Sequence, residues 1–292
     1  MKKLNFKALL LLMRPKQWTK NLFIFGAIIF SGNFSNKPLI LENLFVFVMF
    51  CLTSSSVYIF NDIIDADKDR KHPVKKNRPI ASGKVSKIQG IIFDVILLII
   101  IITFTSRVDI NILILLIGYI IMNIFYSFIL KNVVIIDVMI ITAGFVMRLA
   151  SGGMATHVEL SPWIILCTVL LALFIALNKR KSEIISMKEN STKTRKILEE
   201  YSVELIDKML TIVTPSILMA YCLYTFSSIQ NRSMMITIPF VLYGIFRYEY
   251  LMEKANIGGK PEDVFTKDTP FLINIVCWFL AVIIVIYFKF QL

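Results

Sequence analysis

The chain of 292 residues is 57% hydrophobic and only 18% charged, with a mean hydropathy of +0.71. A water-soluble domain of that size has no place for so much apolar side chain, so the sequence predicts an integral membrane protein. The net charge of +12 is confined to alternate loops, which favours anionic lipid heads and phosphorylated substrates over nucleic acid.

In chain order, the opening segment is basic and then apolar. It runs into Arg14-Pro15-Lys16 rather than into a small-residue cleavage site, so it reads as an interfacial helix and not as a signal peptide. Apolar runs of near membrane-spanning length follow at 17–34, 43–60, 88–106, 110–129, 133–151, 161–177, 208–228, 234–251 and 270–288. The expected architecture is therefore all-α, a polytopic bundle of about nine transmembrane helices forming one integral-membrane domain over residues 1–292. Of the 32 Lys and Arg residues, all but Lys37, Arg107, Arg148, Arg232 and Lys289 fall in the amino-terminal segment or in the loops after the second, fourth, sixth and eighth runs. Basic residues stay on the cytoplasmic side, so the amino terminus and those loops are expected in the cytoplasm, in a multi-pass protein of the plasma membrane.

The loop after the second run holds the densest chemistry. Asn61, Asp62, Asp65, Asp67 and Asp69 lie within nine residues. At about 100° per residue, Asn61, Asp65, Asp69 and Asp62 share one helical face, and Asp67 points to the other side. A helix carboxyl terminus disfavours anions, so such clustering calls for a cation. An all-oxygen face suits Mg2+, which accepts one or two carboxylates together with substrate phosphate oxygens. Arg70, Lys71, Lys75, Lys76, Arg78, Lys84 and Lys87 follow directly; acid that holds a metal beside base that holds phosphate points to chemistry on a diphosphate.

The later cytoplasmic loops add Tyr126 and Lys131, then Asp137 one turn into an apolar run, then Lys179, Arg180, Lys181 and Glu183, and finally Arg247, Tyr248, Tyr250, Gly258, Gly259, Glu262 and Asp268. Loops from separate hairpins can converge on one pocket. Lys179, Arg180 and Glu183 have the helical spacing of an ion pair as well as the charge of a phosphate site. Asp137 and Arg148 lie within apolar runs, where ionisable groups are costly and face either a partner or a cavity. The two histidines, His72 and His157, fall on loops at opposite faces, which excludes a histidine-rich metal centre. Cys51, Cys167, Cys222 and Cys277 are scattered singly through apolar runs as packing residues. Neither phosphate-binding glycine motif of the soluble nucleotide enzymes occurs.

Asn61-Asp62-x-x-Asp65-x-x-x-Asp69 at the end of the second apolar run resembles the first signature of the UbiA superfamily of intramembrane prenyltransferases. Several further stretches resemble its decaprenyl-phosphate phosphoribosyltransferase branch: Arg14-Pro15-Lys16-Gln17-Trp18-Thr19-Lys20-Asn21, Asp69-Arg70-x-His72-Pro73-x-Lys75-x-x-Arg78-Pro79, Tyr126-Ser127-x-x-Leu130-Lys131, Gly144-Phe145-Val146-x-Arg148 and Gly258-Gly259-x-Pro261-Glu262. Prenyltransferases of the superfamily typically carry a second Asp-rich motif after the sixth helix. Residues 178–206 contain no aspartate and are rich in lysine and arginine instead, a departure that suits a donor and an acceptor with more phosphate groups than one diphosphate.

The resemblance implies transfer of 5-phosphoribose from phosphoribosyl diphosphate to a polyprenyl phosphate, of decaprenyl or undecaprenyl type, at the cytoplasmic membrane face. It implies Mg2+ held by Asn61, Asp62, Asp65 and Asp69, with catalysis resting on Asp65, Asp69 and Lys131. Lys75, Arg78, Lys131, Lys179 and Arg180 would cradle phosphates, Tyr126 would donate a hydrogen bond, and Lys20 and Asn21 would meet the acceptor phosphate. Asp137, Arg148, Glu183 and Arg247 complete the expected substrate-contacting set. Two other functions fit the same motif: prenyl transfer from a prenyl diphosphate to an aromatic or quinone precursor, and non-catalytic carriage of lipid phosphate. Association with further copies of the chain is left open.

Overall fold

A computed structural model describes residues 6–71, 75–190, 196–227, 232–255 and 268–288. The α-helices among them are numbered in chain order: α1 (Phe6–Leu12), α2 (Gly26–Phe30), α3 (Lys37–Ile64), α4 (Ala66–Arg70), α5 (Lys87–Val108), α6 (Ile110–Phe128), α7 (Ile136–Ala155), α8 (Pro162–Asn190), α9 (Val203–Ser227), α10 (Ile238–Ala255) and α11 (Thr269–Tyr287). Short 3-10 turns join them, and no strand occurs among the described residues.

Among the described residues, seven of these helices, α3, α5, α6, α7, α8, α9 and α11, are long and apolar enough to cross a membrane, two fewer than the nine apolar runs. The difference has local causes. The run at 17–34 follows Arg14, whose backbone is left-handed (φ 53°), and Pro15; it continues as a 3-10 segment from Pro15 to Phe25 and only then as the short α2. The run at 234–251 begins as a 3-10 turn, Arg232–Thr237, and its helix α10, only 18 residues long, carries Arg247, Glu249, Glu253 and Lys254, too many charges for its length to meet that composition.

The chain forms two compact units. Unit 1 comprises Met1–Ile28, Phe34–Phe128 and Met147–Val158; unit 2 comprises Ile29–Asn33, Ile129–Val146 and Glu159–Leu292. In unit 1, α5 shows the inverted pattern of a lipid-facing helix. Ile88, Ile91, Ile92, Val95, Ile96, Ile99 and Ile102 are exposed, whereas Gly90, Asp94, Leu97, Ile101 and Thr105 face inward. In lipid the apolar stripe lies outward and the small and polar residues mediate helix contact. Ser86 starts α5 with a reciprocal cap: its hydroxyl accepts from the Gln89 amide at 3.1 Å while the Gln89 side chain accepts from the Ser86 amide at 3.0 Å.

The centre of unit 1 is α3. Its Thr53-Ser54-Ser55-Ser56 run is wholly buried, and small side chains there let the 3-10 segment approach closely: Trp18 Nε1 donates to Ser55 Oγ at 3.1 Å, and Ser55 Oγ donates to backbone carbonyls. Close approach also requires Gly152, where an added Cβ would fall 1.9 Å from the Ile24 carbonyl oxygen. Ile24, Val46, Phe50, Ile101, Ile112 and Leu116 fill the apolar core. Unit 2 is organised on α8 and α9, with Phe174, Leu177, Ile197, Leu198, Ile206 and Tyr248 at its centre.

Candidate active site

In unit 1 the aspartate face forms where α3 ends. Asp65 stops α3 with φ −85° and ψ 3°, and the chain restarts as α4, which keeps Asp62 and Asp69 inward. Asp62 is 2% exposed and Asp69 4%. The guanidinium of Arg78 bridges them, with Nη1 3.1 Å from Asp62 Oδ1 and 2.6 Å from Asp69 Oδ2. Arg14 also donates to Asp62 Oδ1 and stacks over Tyr58 at 5.0 Å from the ring centre. Asn61 Oδ1 lies 2.6 Å from the Ser127 hydroxyl at the end of α6. Asp67 is on the opposite side, exposed and paired with Arg70 and Lys87 at 2.9 Å each; the Lys87 bond holds its carboxyl below the ordinary carboxylate range.

Whether these residues suit a divalent cation turns on their uncommitted oxygens. Among the described residues, Asp62 Oδ2 is buried with no hydrogen-bond partner and the Asp65 carboxylate has none either. No three acidic, histidine or cysteine side chains among the described residues are gathered closely enough to hold an ion by themselves. The orphaned Asp62 oxygen, the Asp65 carboxylate and the Asn61 amide oxygen nevertheless fit a hard cation that draws its remaining ligands from water and substrate phosphate.

Deeper in unit 1, Arg148 is 4% exposed. Its Nε donates to Asn21 Oδ1 at 2.8 Å and its Nη2 to the Tyr119 hydroxyl at 2.9 Å, and its guanidinium lies 5.0 Å from the Phe50 and Tyr119 ring centres. Asn21 is fully buried and donates to Cys51 Sγ and Ser54 Oγ. Asn21 and Arg148 thus engage one another in the interior, while Lys20 is half-buried and bonds to Gln17 Oε1 at 2.6 Å. Lys75 and Tyr126 are half-buried.

Unit 2 holds a second charged cluster. Asp137, fully buried in the first turn of α7, accepts from Arg180 Nε at 2.7 Å on one oxygen and from the Tyr201 hydroxyl at 2.7 Å on the other. Arg180 is 1% exposed and also binds Glu183, one turn along α8. Burial, and next the bond to the anionic Asp137, push the Tyr201 phenol up from its ordinary value, so it remains a donor. Lys131 is half-buried on the 3-10 turn Leu130–Asn132, and Lys179 is half-buried on α8. Arg247 forms a two-pronged pair with Asp268 at 3.1 and 2.8 Å and stacks on Tyr250.

The expected residues therefore fall into separate groups: Asn61, Asp62, Asp69 and Arg78 in one, Asn21 and Arg148 in another, and Asp137, Arg180 and Glu183 in a third. Arg14, Tyr119 and Tyr201 are additions to the expected site residues. Arg14 has a sequence signal, a basic residue directly before Pro15; Tyr201 has none. His72-Pro73, Lys193, Arg195 and Gly258-Gly259-x-Pro261-Glu262 lie outside the described residues.

Membrane-length helices with a carboxylate–guanidinium cluster at the end of one of them define a multi-pass helical membrane protein with a charged site at a helix end. The model of the UbiA prenyltransferase family matches residues 22–276. The chain is 30% identical to the decaprenyl-phosphate phosphoribosyltransferase of Corynebacterium glutamicum, over 94% of this chain and 85% of the relative. It is also 30% identical to that of Mycolicibacterium smegmatis, over 95% and 92%. A UbiA homolog from Archaeoglobus fulgidus, solved with GPP and Mg2+, shares the fold with a TM-score of 0.70 at 18% identity, over 96% of this chain and 99% of the other. The chain belongs to the UbiA prenyltransferase family and is a membrane-embedded transferase.

Proposed function

We propose that this protein transfers 5-phosphoribose from phosphoribosyl diphosphate to a polyprenyl phosphate and releases diphosphate, at the cytoplasmic face of the plasma membrane. The observation that carries the reading is 30% identity, across nearly the whole chain, to two relatives named decaprenyl-phosphate phosphoribosyltransferase. The absence of aspartate from residues 178–206 agrees with it, because a second acidic motif would serve a further metal on a prenyl diphosphate. The family match extends across residues of both units, which supports treating 1–292 as one functional domain. The confinement of lysine and arginine to alternate loops supports the orientation.

In this reading Asn61, Asp62, Asp65 and Asp69 hold Mg2+, and Arg78 turns from the carboxylates to the diphosphate, for which a guanidinium fork is the matching donor. When bound, the ion supplies Lewis-acid charge neutralisation on the departing diphosphate. Lys75, Tyr126, Lys131 and Lys179 supply charge and hydrogen bonds to phosphate oxygens, and Lys20 meets the acceptor's phosphate. Asn21 and Arg148 brace the interior of unit 1, Asp137, Arg180 and Glu183 that of unit 2, and Arg247 the start of α11. The bond between the anomeric carbon and the diphosphate oxygen breaks, its electron pair leaving with diphosphate. A lipid phosphate oxygen then forms the new bond to that carbon. The nucleophile is already anionic, so no general base is needed, and preorganised charge supplies most of the acceleration.

The test is incubation of the purified protein in lipid nanodiscs with labelled phosphoribosyl diphosphate and decaprenyl phosphate, with and without Mg2+. Label is expected in a lipid product only with the metal. Consumption of a prenyl diphosphate with phosphoribosyl diphosphate ignored would replace this reading with prenyl transfer.

A further inference from the structure

Ile135 stands immediately before α7 with φ 71°. A β-branched side chain in the left-handed region is disfavoured, so surrounding contacts must hold it there. Its amide donates to the Tyr201 hydroxyl at 2.7 Å, and the same hydroxyl donates to Asp137 Oδ1 at 2.7 Å. One phenol oxygen therefore grips both sides of Ile136. Asp137 is anchored on its other oxygen by Arg180.

The gripped turn continues without slack to Lys131. Asn132 N–H bonds to the Ile129 carbonyl at 3.0 Å, Val133 N–H to Leu130 at 3.2 Å and Asp137 N–H to Val133 at 3.1 Å. The Leu130–Asn132 turn rests on the Lys196–Glu199 turn just ahead of Tyr201, whose Ile197 and Leu198 are buried. Tyr201 is itself 4% exposed, and its hydroxyl is engaged by both the Ile135 amide and the Asp137 carboxylate.

We propose that Tyr201 is a positioning residue: by bridging the Ile135 amide and the Asp137 carboxylate, it fixes the turn that presents Lys131 to a substrate phosphate. This rests on the reading of Lys131 as a phosphate ligand. The chemistry of recognition is that of an ammonium held at one place against a phosphate oxygen. A lysine on a loose turn would still bind, but with its ordering cost added at each encounter.

The experiment is a double-mutant cycle on the purified protein in nanodiscs, with Tyr201→Phe, Lys131→Met and the double variant. Tyr201→Phe is expected to raise KM for the diphosphate donor roughly tenfold, with the smaller effect on kcat. In the Lys131→Met background the same change is expected to cost less than about twofold, because residues acting as a unit are not additive. Adding Ile135→Gly to Tyr201→Phe removes the left-handed penalty and is expected to recover part of the lost affinity; it also serves where Tyr201→Phe alone folds poorly. Full multiplicative loss in the Lys131→Met background, or no effect of Lys131→Met on KM, overturns the proposal. Should the wild type use a prenyl diphosphate instead, the phosphoribosyl reading fails, and the cycle run on that donor still decides the role of Tyr201.

Discussion

Arg180 and Asp137, 43 residues apart in sequence, meet at 2.7 Å in the interior of unit 2 with both side chains essentially sealed from solvent. Removing one partner leaves an uncompensated buried charge, which costs about 3–5 kcal/mol, whereas replacing both by apolar residues of similar volume is far milder. Arg180→Met and Asp137→Leu should each lower the thermal unfolding midpoint sharply in a fixed detergent. The double variant should recover most of the loss; singles costing under about 1 kcal/mol would sink the idea that this pair braces unit 2.

The aspartates of unit 1 should separate by face. Asp69 is buried against Arg78, the Asp65 carboxylate bonds to no described residue, and Asp67 is exposed with Arg70 and Lys87. Asp65→Ala and Asp69→Ala are expected to cut transfer of labelled ribose by about 100-fold or more, the scale on which lost transition-state electrostatics is felt. Asp67→Asn should stay within about twofold, as surface pairs contribute little. Equal losses at all three positions would remove the distinction.

Arg78 touches two of the three carboxylates proposed to hold a metal, so on that proposal it competes with the ion until a diphosphate draws it away. The Arg78→Gln variant should therefore bind Mn2+ about tenfold more tightly than wild type in the absence of diphosphate, a gain of about 1.4 kcal/mol. With diphosphate present it should bind Mn2+ more weakly, having lost a charge-assisted phosphate contact. Titration followed by electron paramagnetic resonance reads both arms, and a change of the same sign in both would refute the exchange.

A pH dependence follows from Asp268, which begins α11 and accepts from the Phe271 amide at 2.8 Å. Its bond to Arg247 holds the carboxyl below the ordinary carboxylate range. A depressed folded-state value means that the stabilisation is present above the ordinary value of about 3.9 and is lost as pH falls through the depressed one. The difference in unfolding midpoint between wild type and Asp268→Asn should be constant above about pH 5 and shrink below about pH 4. A change between about pH 6 and 8 would assign it to another group.

Features set by neighbours along the chain are legible in its sequence. Ser86 and Gln89 cap α5 three residues apart, and Asp62 and Asp69 share a side that excludes Asp67. Apolar runs mark most of the membrane-length helices; the two that differ are those where Pro15 begins a 3-10 segment and where α10 is short and charged.

Composition and helical period alone determined that this is an all-helical membrane protein with a carboxylate face at the end of its second apolar run, because both are properties of local sequence. The tertiary structure decided what each charge is paired with. Arg14 reaches Asp62 across 48 residues, Tyr201 reaches Asp137 across 64 and Arg148 reaches Asn21 across 127. In a low-dielectric interior every buried charge must find a partner, and which partner it finds depends on how helices distant in sequence pack, information that no local pattern contains.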